Sequence, residues 1–432
     1  MSEIDKEKLN LSRRRFLSCG FMAAATAGLT AHGAPAIIGA TDKNDEAQKK
    51  SAVEPFYDAH QGGILTPLQH NTYFAAFDLV TDDREDVLKM LQAWTNAAAR
   101  MSIGQTTAPL GKDDSIPAPD SADALGLSPA RLTITFGFGP GFFIKDGKDR
   151  YDLAAKRPAA LIDLPHFAGD QLAEARTGGD LSVQACADDP QVAFHAIRQL
   201  ARLAYDVAQI RWVQTGFVPN SDGKETPRNL MGFKDGTKNP STADPKLMNQ
   251  VIWVGDEGPD WMRGGSYMVA RRIRIALEHW DRMTLAFQEQ TVGRHKYSGA
   301  PLGKKHEFET ADYDATDSNG NPVIPENSHI RLGAAVNNDG AQILRRPYSY
   351  NDGANLTAER WPPWRDEMEF DAGLLFICYQ SDPRTGFVKI FEKMAKFDMM
   401  NQFVTHTGGG LFACPGGIKD GEFIGQRLFE KA

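Results

Sequence analysis

Runs of apolar and β-branched residues separated by polar turns predict most elements of the first half of the chain. Between these runs, two segments space their apolar residues with the period of an α-helix. The predicted strands are 71–80, 131–140, 181–187 and 211–218, and the predicted helices are 85–101 and 191–205. The first half thus predicts four strands and two helices.

The second half repeats this order of elements. The predicted strands are 266–280, 329–335, 342–350 and 373–380, followed by a helix over 387–397 and a closing unit at 408–416. In the segment HIRLG, a strand would place His329 and Arg331 on one face. Two halves that each mix strands with helices predict a duplicated α+β architecture. The turn-rich stretch 219–229 marks the expected seam, whereas the polar segment 295–328 predicts a long functional or mobile loop.

The first forty residues differ from the rest of the chain. Arg13, Arg14 and Arg15 precede Phe16 and Leu17, and a short apolar run over 20–31 follows. That run is too short to span a bilayer, and the order of basic, apolar and small residues is typical of a twin-arginine export signal. We therefore expect a signal peptide over 1–40, a polar linker over 41–54 and a periplasmic protein.

Composition narrows the classes of function. The 432 residues carry a formal net charge of −8, which argues against nucleic-acid binding. Cys19 lies in the predicted signal. Cys186 follows the apolar run LSVQA and Cys378 lies within GLLFICYQ, and both positions are typical of buried residues. Cys414 is the third cysteine of the mature chain, so the sequence allows one disulfide. The chain has no C-x-x-C motif, so neither a zinc ribbon nor covalently attached haem is supported.

The stretch MGFKDGTKNP contains the first candidate for chemistry, Asp235. Asp235-Gly236 is a turn dipeptide, so on its own the aspartate predicts a polar turn or a helix cap. His329 and the pair Arg345-Arg346 are, likewise, more often structural or solvated residues when each is taken alone.

Taken together and in order, nine stretches change this interpretation. They are PFYDAHQGGILTP, GFKDGT, GGSYMVARRIRI, WDR, GRHKYSGAPLG, SHIRL, LRRPYSY, GLLFICYQ and GGGLFACPG. This set resembles the dye-decolourising (Dyp-type) haem peroxidases, especially their exported deferrochelatase subgroup, over nearly all of the mature chain. The resemblance implies two ferredoxin-like halves of the dimeric α+β barrel type, at 55–225 and 226–432. It also implies one non-covalent haem b per chain, held in the C-terminal half, and a homodimer.

The resemblance also assigns roles to residues. His329 matches the iron ligand, Asp235 the distal acid and Arg345 the distal arginine; Arg346 is the alternative for the last role. Asp398 is the expected carboxylate partner of His329. The haem contacts it implies are Gly236, Thr237, Lys238, Ala334, Ala335 and Arg345.

These residue types suit the chemistry of hydrogen peroxide. The peroxide must lose a proton, and its outer oxygen must gain one to leave as water, so a single acid can serve both steps. A permanently charged arginine would stabilise the developing negative charge. Bulky dyes would need an electron relay through surface aromatic residues, for which Tyr348, Tyr350 and Trp280 are candidates beside their ordinary role in a core.

Several functions stay open from sequence. The first is a peroxidase that oxidises organic reductants such as dyes or porphyrinogens and is linked to iron or haem acquisition. Its rivals are a deferrochelatase that releases iron from haem with the porphyrin intact, a non-catalytic haem carrier with membrane partners in iron uptake, and a metal-free binding module. An acid–arginine pair favours an enzyme over a carrier.

Overall fold

The computed structural model describes residues 52–219, 225–358 and 366–430. The predicted signal peptide, most of the predicted linker and residues 220–224 of the predicted seam lie outside the described residues. None of the helices in the described ranges is long and apolar enough to cross a membrane.

Four strands and two long helices make up the first half. The strands are β1 (Asn71–Leu79), β2 (Thr133–Phe138), β3 (Leu181–Ala187) and β4 (Ala208–Phe217). The helices are α1 (Arg84–Ser102), the short α2 (Pro140–Phe143) and α3 (Pro190–Leu203). Antiparallel pairing gives the order β4-β1-β3-β2, in the βαββαβ sequence of a ferredoxin-like half.

Both long helices begin where the sequence places an aspartate. Asp83 accepts a hydrogen bond from the backbone N–H of Glu85, and Asp189 accepts from two backbone N–H groups at the start of α3. These side chains satisfy donors that a helix start otherwise leaves free. The buried faces of both helices pack on the sheet around Trp94, whose indole donates to the carbonyl of Leu200.

The second half repeats the pattern with insertions. Its strands are β5 (Ser266–Ile275), the short β6 (Leu344–Arg345), β7 (Tyr348–Ala358), β8 (Asp366–Gln380) and β9 (Val404–Cys414). Its helices are α4 (Pro245–Val251), α5 (Leu277–Trp280), α6 (Leu285–Val292), α7 (His329–Leu332), α8 (Lys389–Phe397) and α9 (Gln426–Phe429). The main strands pair in the order β7-β8-β5-β9, the same ferredoxin-like order as in the first half. The predicted α+β fold class is confirmed.

Two seams join the halves into a closed ring of eight strands. Phe138 of β2 pairs with Ala413 of β9, and Phe217 of β4 pairs with Ser349 of β7. Pairing of β5 with β8 completes the ring, and β6 extends from β8. The three cysteines in the described ranges, Cys186, Cys378 and Cys414, are fully buried and free.

Two stretches predicted as strand are helical. The predicted strand 266–280 ends at Ile275, and its last residues form the short helix α5. The segment at His329 is a single helical turn, α7, and not a strand. Four residues of alternating character fit either structure, and Ser328 before them, in extended conformation, begins the turn. The preceding segment 295–328 has neither helix nor strand, and its β-pairing is limited to isolated bridges, as its polar sequence predicts.

Candidate active site

A cavity of about 940 Å³ lies on the outer face of the second half's sheet. Alternate residues of three strands form its floor, namely Ile273 and Ile275 of β5, Leu374 and Phe376 of β8, and Val404 and His406 of β9. Helices α7 and α8, the segment 229–240 and part of the long loop complete the walls. The volume lies at the upper end of the range of about 300–1,000 Å³ that is usual for cofactor and ligand sites.

The residues that the sequence assigned to binding or catalysis line this one cavity, apart from the alternative arginine, Arg346. They are Asp235, Gly236, Thr237, Lys238, His329, Ala334, Ala335, Arg345 and Asp398. Tyr348, Tyr350 and Trp280 are not among its lining residues and are at most 1% exposed. The three aromatic residues are therefore core residues in this structure.

Asp235 and Arg345 form an ion pair in the wall of the cavity. The Arg345 Nη1 donates to Asp235 Oδ1 at 2.9 Å, and the two side chains are 26% and 15% exposed. Asp235 precedes Gly236, whose φ of +113° is a conformation that favours glycine. Both residues also line a second, smaller pocket, so the pair lies between two cavities, where its charges are less screened than at an open surface.

Asn239 fixes the backbone of Arg345 against the loop that carries Asp235. Its side-chain amide accepts from the Arg345 N–H at 3.1 Å and donates to the Arg345 carbonyl at 2.7 Å. The Asn239 N–H in turn donates to the carbonyl of Gly236. Two segments more than a hundred residues apart are therefore held in one relative position.

Arg346 occupies a different environment from Arg345. It is 5% exposed and donates to the carbonyl of Thr66 and, at 2.9 Å, to Gln69 Oε1. The structure thus brings Arg345, and not Arg346, beside Asp235.

His329 and Asp398 form the second polar pair of the cavity. The Nδ1 of His329 lies 2.7 Å from Asp398 Oδ2, so the contact expected from the resemblance is present. A carboxylate only accepts hydrogen bonds, so Nδ1 carries a hydrogen, and in the neutral imidazole Nε2 keeps its lone pair. Asp398 is itself held by the Met400 N–H, which donates to Oδ1 at 2.8 Å.

The charges around His329 shift its pKa. Burial alone would lower the pKa, but the charge of Asp398 and the hydrogen bond to it raise it above its ordinary value. Arg345 and Asp235 act on the same imidazole with opposite signs, which places both pairs within electrostatic range across the cavity. The imidazole is 36% exposed, and it lines the cavity.

Glu307 of the long loop anchors the Asp235 loop from its other side. It accepts from Lys234 Nζ at 2.6 Å and from Thr237 Oγ1 at 2.9 Å, and it is 8% exposed. Burial raises the pKa of the Glu307 carboxyl, but the hydrogen bonds from Lys234, Thr226 and Thr237 bring it below its usual value.

Sequence reasoning missed Glu307, Asn239 and His406. Glu307 and His406 lie outside the GFKDGTKNP loop, and Asn239 lies in that loop but is bonded 106 residues away. Only the polar composition of the long loop hinted that Glu307 had a role.

The cavity suits haem by the chemistry of its donor set. One wall offers an imidazole with a free lone pair, another a carboxylate–guanidinium pair, and aliphatic and aromatic side chains form much of the rest. Neutral imidazole oriented by a carboxylate is a suitable ligand for haem iron. His329 would hold the iron, and Gly236, Thr237, Lys238, Ala334, Ala335 and Arg345 lie where they can contact the porphyrin.

Comparison with known proteins gives a consistent result. Residues 61–218 match the N-terminal and residues 226–419 the C-terminal model of the Dyp-type peroxidases. The chain is 35% identical over 441 residues to the deferrochelatase of Shigella flexneri, covering 99% of each. The structure of a DyP-type peroxidase from Streptomyces coelicolor has a TM-score of 0.79 and 39% identity, over 89% of this chain and 99% of that one.

Ferric DtpA from Streptomyces lividans is similar to the same degree. Its TM-score is 0.78 at 39% identity, over 89% of this chain and 99% of that one. Both family models and the full-length relative agree on a single assignment. The chain therefore belongs to the Dyp-type peroxidase family and is an enzyme that depends on non-covalent haem b.

Proposed function

We propose that this peroxidase is exported to the periplasm, where it reduces hydrogen peroxide and oxidises organic reductants such as dyes or porphyrinogens. The observation that carries the catalytic proposal is the 2.9 Å pair of Asp235 and Arg345 in the same cavity as His329. A haem carrier would have no use for an acid and an arginine aimed at one site. The export signal predicted from the sequence of residues 1–40 supports the location.

Each polar residue has a definite task in this proposal. Haem, when bound, supplies the redox-active iron that takes up the oxidising equivalents of peroxide. Asp235 would accept a proton from one oxygen of hydrogen peroxide and return it to the other, which leaves as water when the O–O bond breaks. The organic reductant would supply the electrons that reduce the remaining oxygen. Arg345 stabilises the negative charge that develops on the departing oxygen. Asp398 accepts a hydrogen bond from the Nδ1 of His329 and so leaves the Nε2 lone pair of that imidazole available to the iron.

The name of the curated relatives supports a second candidate, the release of iron from haem with the porphyrin left intact. This reaction needs protons delivered to the pyrrole nitrogens as iron leaves, and Asp235 is an acid in the cavity wall. It would connect the enzyme to iron uptake and to membrane partners in that process. A homodimer is the expected assembly in either case.

The proposal is tested by mixing haem-loaded enzyme with hydrogen peroxide in a stopped-flow spectrometer. We expect Asp235→Asn to slow the haem absorbance change by about 10²–10⁴-fold, because the proton relay is lost while size and shape are kept. Asp314→Asn, an exposed acid that also lines the cavity, is the matched control and should react like the wild type.

Two results would contradict this scheme. An Asp235→Asn enzyme that reacts at the wild-type rate would remove Asp235 from the chemistry. A wild type that binds haem but does not react with peroxide, while free porphyrin accumulates from haem, would favour iron release over peroxide reduction.

A further inference from the structure

A second histidine of the cavity, His406, is not used by the proposed mechanism. It lies on β9, is 8% exposed and lines the cavity beside Phe391 of α8, with ring centroids 4.6 Å apart. Within the described residues, it and His329 are the histidines in the cavity lining.

Arg271 determines which nitrogen of His406 carries the hydrogen. The Arg271 Nε lies 3.2 Å from His406 Nδ1, and a guanidinium only donates. The Nδ1 must therefore accept, which leaves the hydrogen on Nε2. Arg271 is fixed in this position by a buried ion pair with Asp170 and by the rings of Phe167 and Phe391.

The same neighbours keep the ring uncharged. Burial, followed by the positive charge of Arg271, lowers the pKa of His406 well below its ordinary value. His406 is accordingly the reverse of His329. The Nε2 of His406 carries a hydrogen, whereas the Nε2 of His329 carries a lone pair. His406 can therefore donate a hydrogen bond to a ligand but has no free nitrogen to bind a metal.

We propose that His406 is a binding residue that donates its Nε2–H to a carboxylate of the molecule held in the cavity. Such a donor, largely shielded from water and fixed by Arg271, makes a strong hydrogen bond with an ionised acceptor. The carboxylate has two sources, a propionate of haem or a carboxylate of an organic substrate. The inference takes one point from the proposed function, namely that the cavity binds haem.

The test compares haem with its dimethyl ester, whose propionates cannot act as carboxylates. Full-length enzyme is loaded with either molecule, and its release to excess apomyoglobin is timed. We expect His406→Phe, which keeps an aromatic ring beside Phe391, to release haem about 10–100-fold faster than the wild type. Release of the dimethyl ester should not change. His406→Gln retains a donor and should restore slow release of haem.

Two controls separate this effect from a loss of structure or of haem binding. His306→Phe, an exposed histidine outside the cavity lining, should behave as the wild type. His329→Ala should weaken the binding of haem and of the ester alike; if it leaves both unchanged, the proposed haem site is wrong whatever His406 does.

The remaining outcomes assign the carboxylate or overturn the inference. If haem release is unchanged but the KM for a carboxylated dye rises in His406→Phe, and the KM for its methyl ester does not, the carboxylate belongs to the substrate. Equal acceleration for haem and dimethyl ester, or no change in release and in either KM, would overturn the inference.

Discussion

At the scale of single residues, the two histidines of the cavity show how a neighbour sets the chemistry of an imidazole. Asp398 can only accept, so it leaves the Nε2 of His329 free to bind a metal. Arg271 can only donate, so it leaves a hydrogen on the Nε2 of His406. The same side chain is thereby prepared for two different tasks, and the choice lies with groups that need not touch the ligand.

Replacement of Asp398 should weaken haem binding. We expect Asp398→Ala to raise the dissociation constant for haem about 10–100-fold, since the orienting partner of the metal ligand is lost. Asp398→Asn should have a smaller effect, because an amide oxygen still accepts from Nδ1–H. The measurement is a haem titration of the haem-free protein. Asp339→Ala, an aspartate that is 88% exposed and pairs with Lys389, is the control. Equal affinity of Asp398→Ala and wild type would show that the carboxylate has no such role.

Residue chemistry was the hardest property to obtain from the sequence. Asp235, His329 and Arg345 could be singled out only as a set, through their resemblance to a family, because each alone has a more common structural role. His406 could not be identified, since its meaning depends on Arg271, which is 135 residues away. A tautomer is a property of a three-dimensional contact, and no local pattern encodes it.

At the scale of elements, the long loop 295–328 acts as a support for the Asp235 turn. Glu307 is its point of attachment, through Lys234 and Thr237. Its pKa is lowered in the folded protein, so the carboxylate stabilises the fold at pH values above its unfolded pKa of about 4.3. That stability is lost as the pH falls through the lower, folded pKa.

Glu307→Gln should therefore change both the size and the pH dependence of stability. At pH 7 we expect a loss of about 1–3 kcal/mol, because the partly buried Lys234 loses its nearer charged partner and keeps only the exposed Glu225. Below about pH 5 the stability of the variant should fall less steeply than that of the wild type. Urea unfolding of the haem-free protein at several pH values is the measurement, with the exposed Glu326→Gln as control. Parallel curves for wild type and Glu307→Gln would contradict the assignment.

Elements with a regular apolar pattern were predicted well, and those without one were not. The strand LSVQACA has the predicted bounds, and α1 extends one residue beyond the prediction at each end. The four residues of α7 carry too little periodicity to separate a turn of helix from a strand, and the prediction there was wrong. In β8 the sequence pattern gave only 373–380 of Asp366–Gln380, because the earlier residues are polar.

At the scale of the whole molecule, glycines allow the two halves to meet at both seams. A Cβ on Gly216 of β4 would lie 2.6 Å from the Cβ of Tyr348 on β7. At the other seam, a Cβ on Gly137 of β2 would lie 2.8 Å from the Cβ of Phe412 on β9. Since backbone-attached atoms cannot move aside freely, the absence of side chains at these positions permits the ring to close.

Gly216→Ala should consequently destabilise the protein by about 1–3 kcal/mol through overpacking at the seam between β4 and β7. Thermal unfolding of the haem-free protein measures the effect. Gly111→Ala is the matched control, because a Cβ there would meet no atom within 4 Å. A Gly216→Ala protein as stable as the control would mean that the seam can widen at no cost.

The position of β9 in the chain orders the events of biogenesis. This strand is the last of the sheet, and it supplies both the seam to β2 and two residues of the cavity floor, Val404 and His406. Until β9 pairs with β2 and β5, the ring is open and the cavity lacks part of its floor. Haem that needs the complete cavity can therefore bind only after this last strand has joined the sheet, so closure of the ring and capture of the cofactor are coupled.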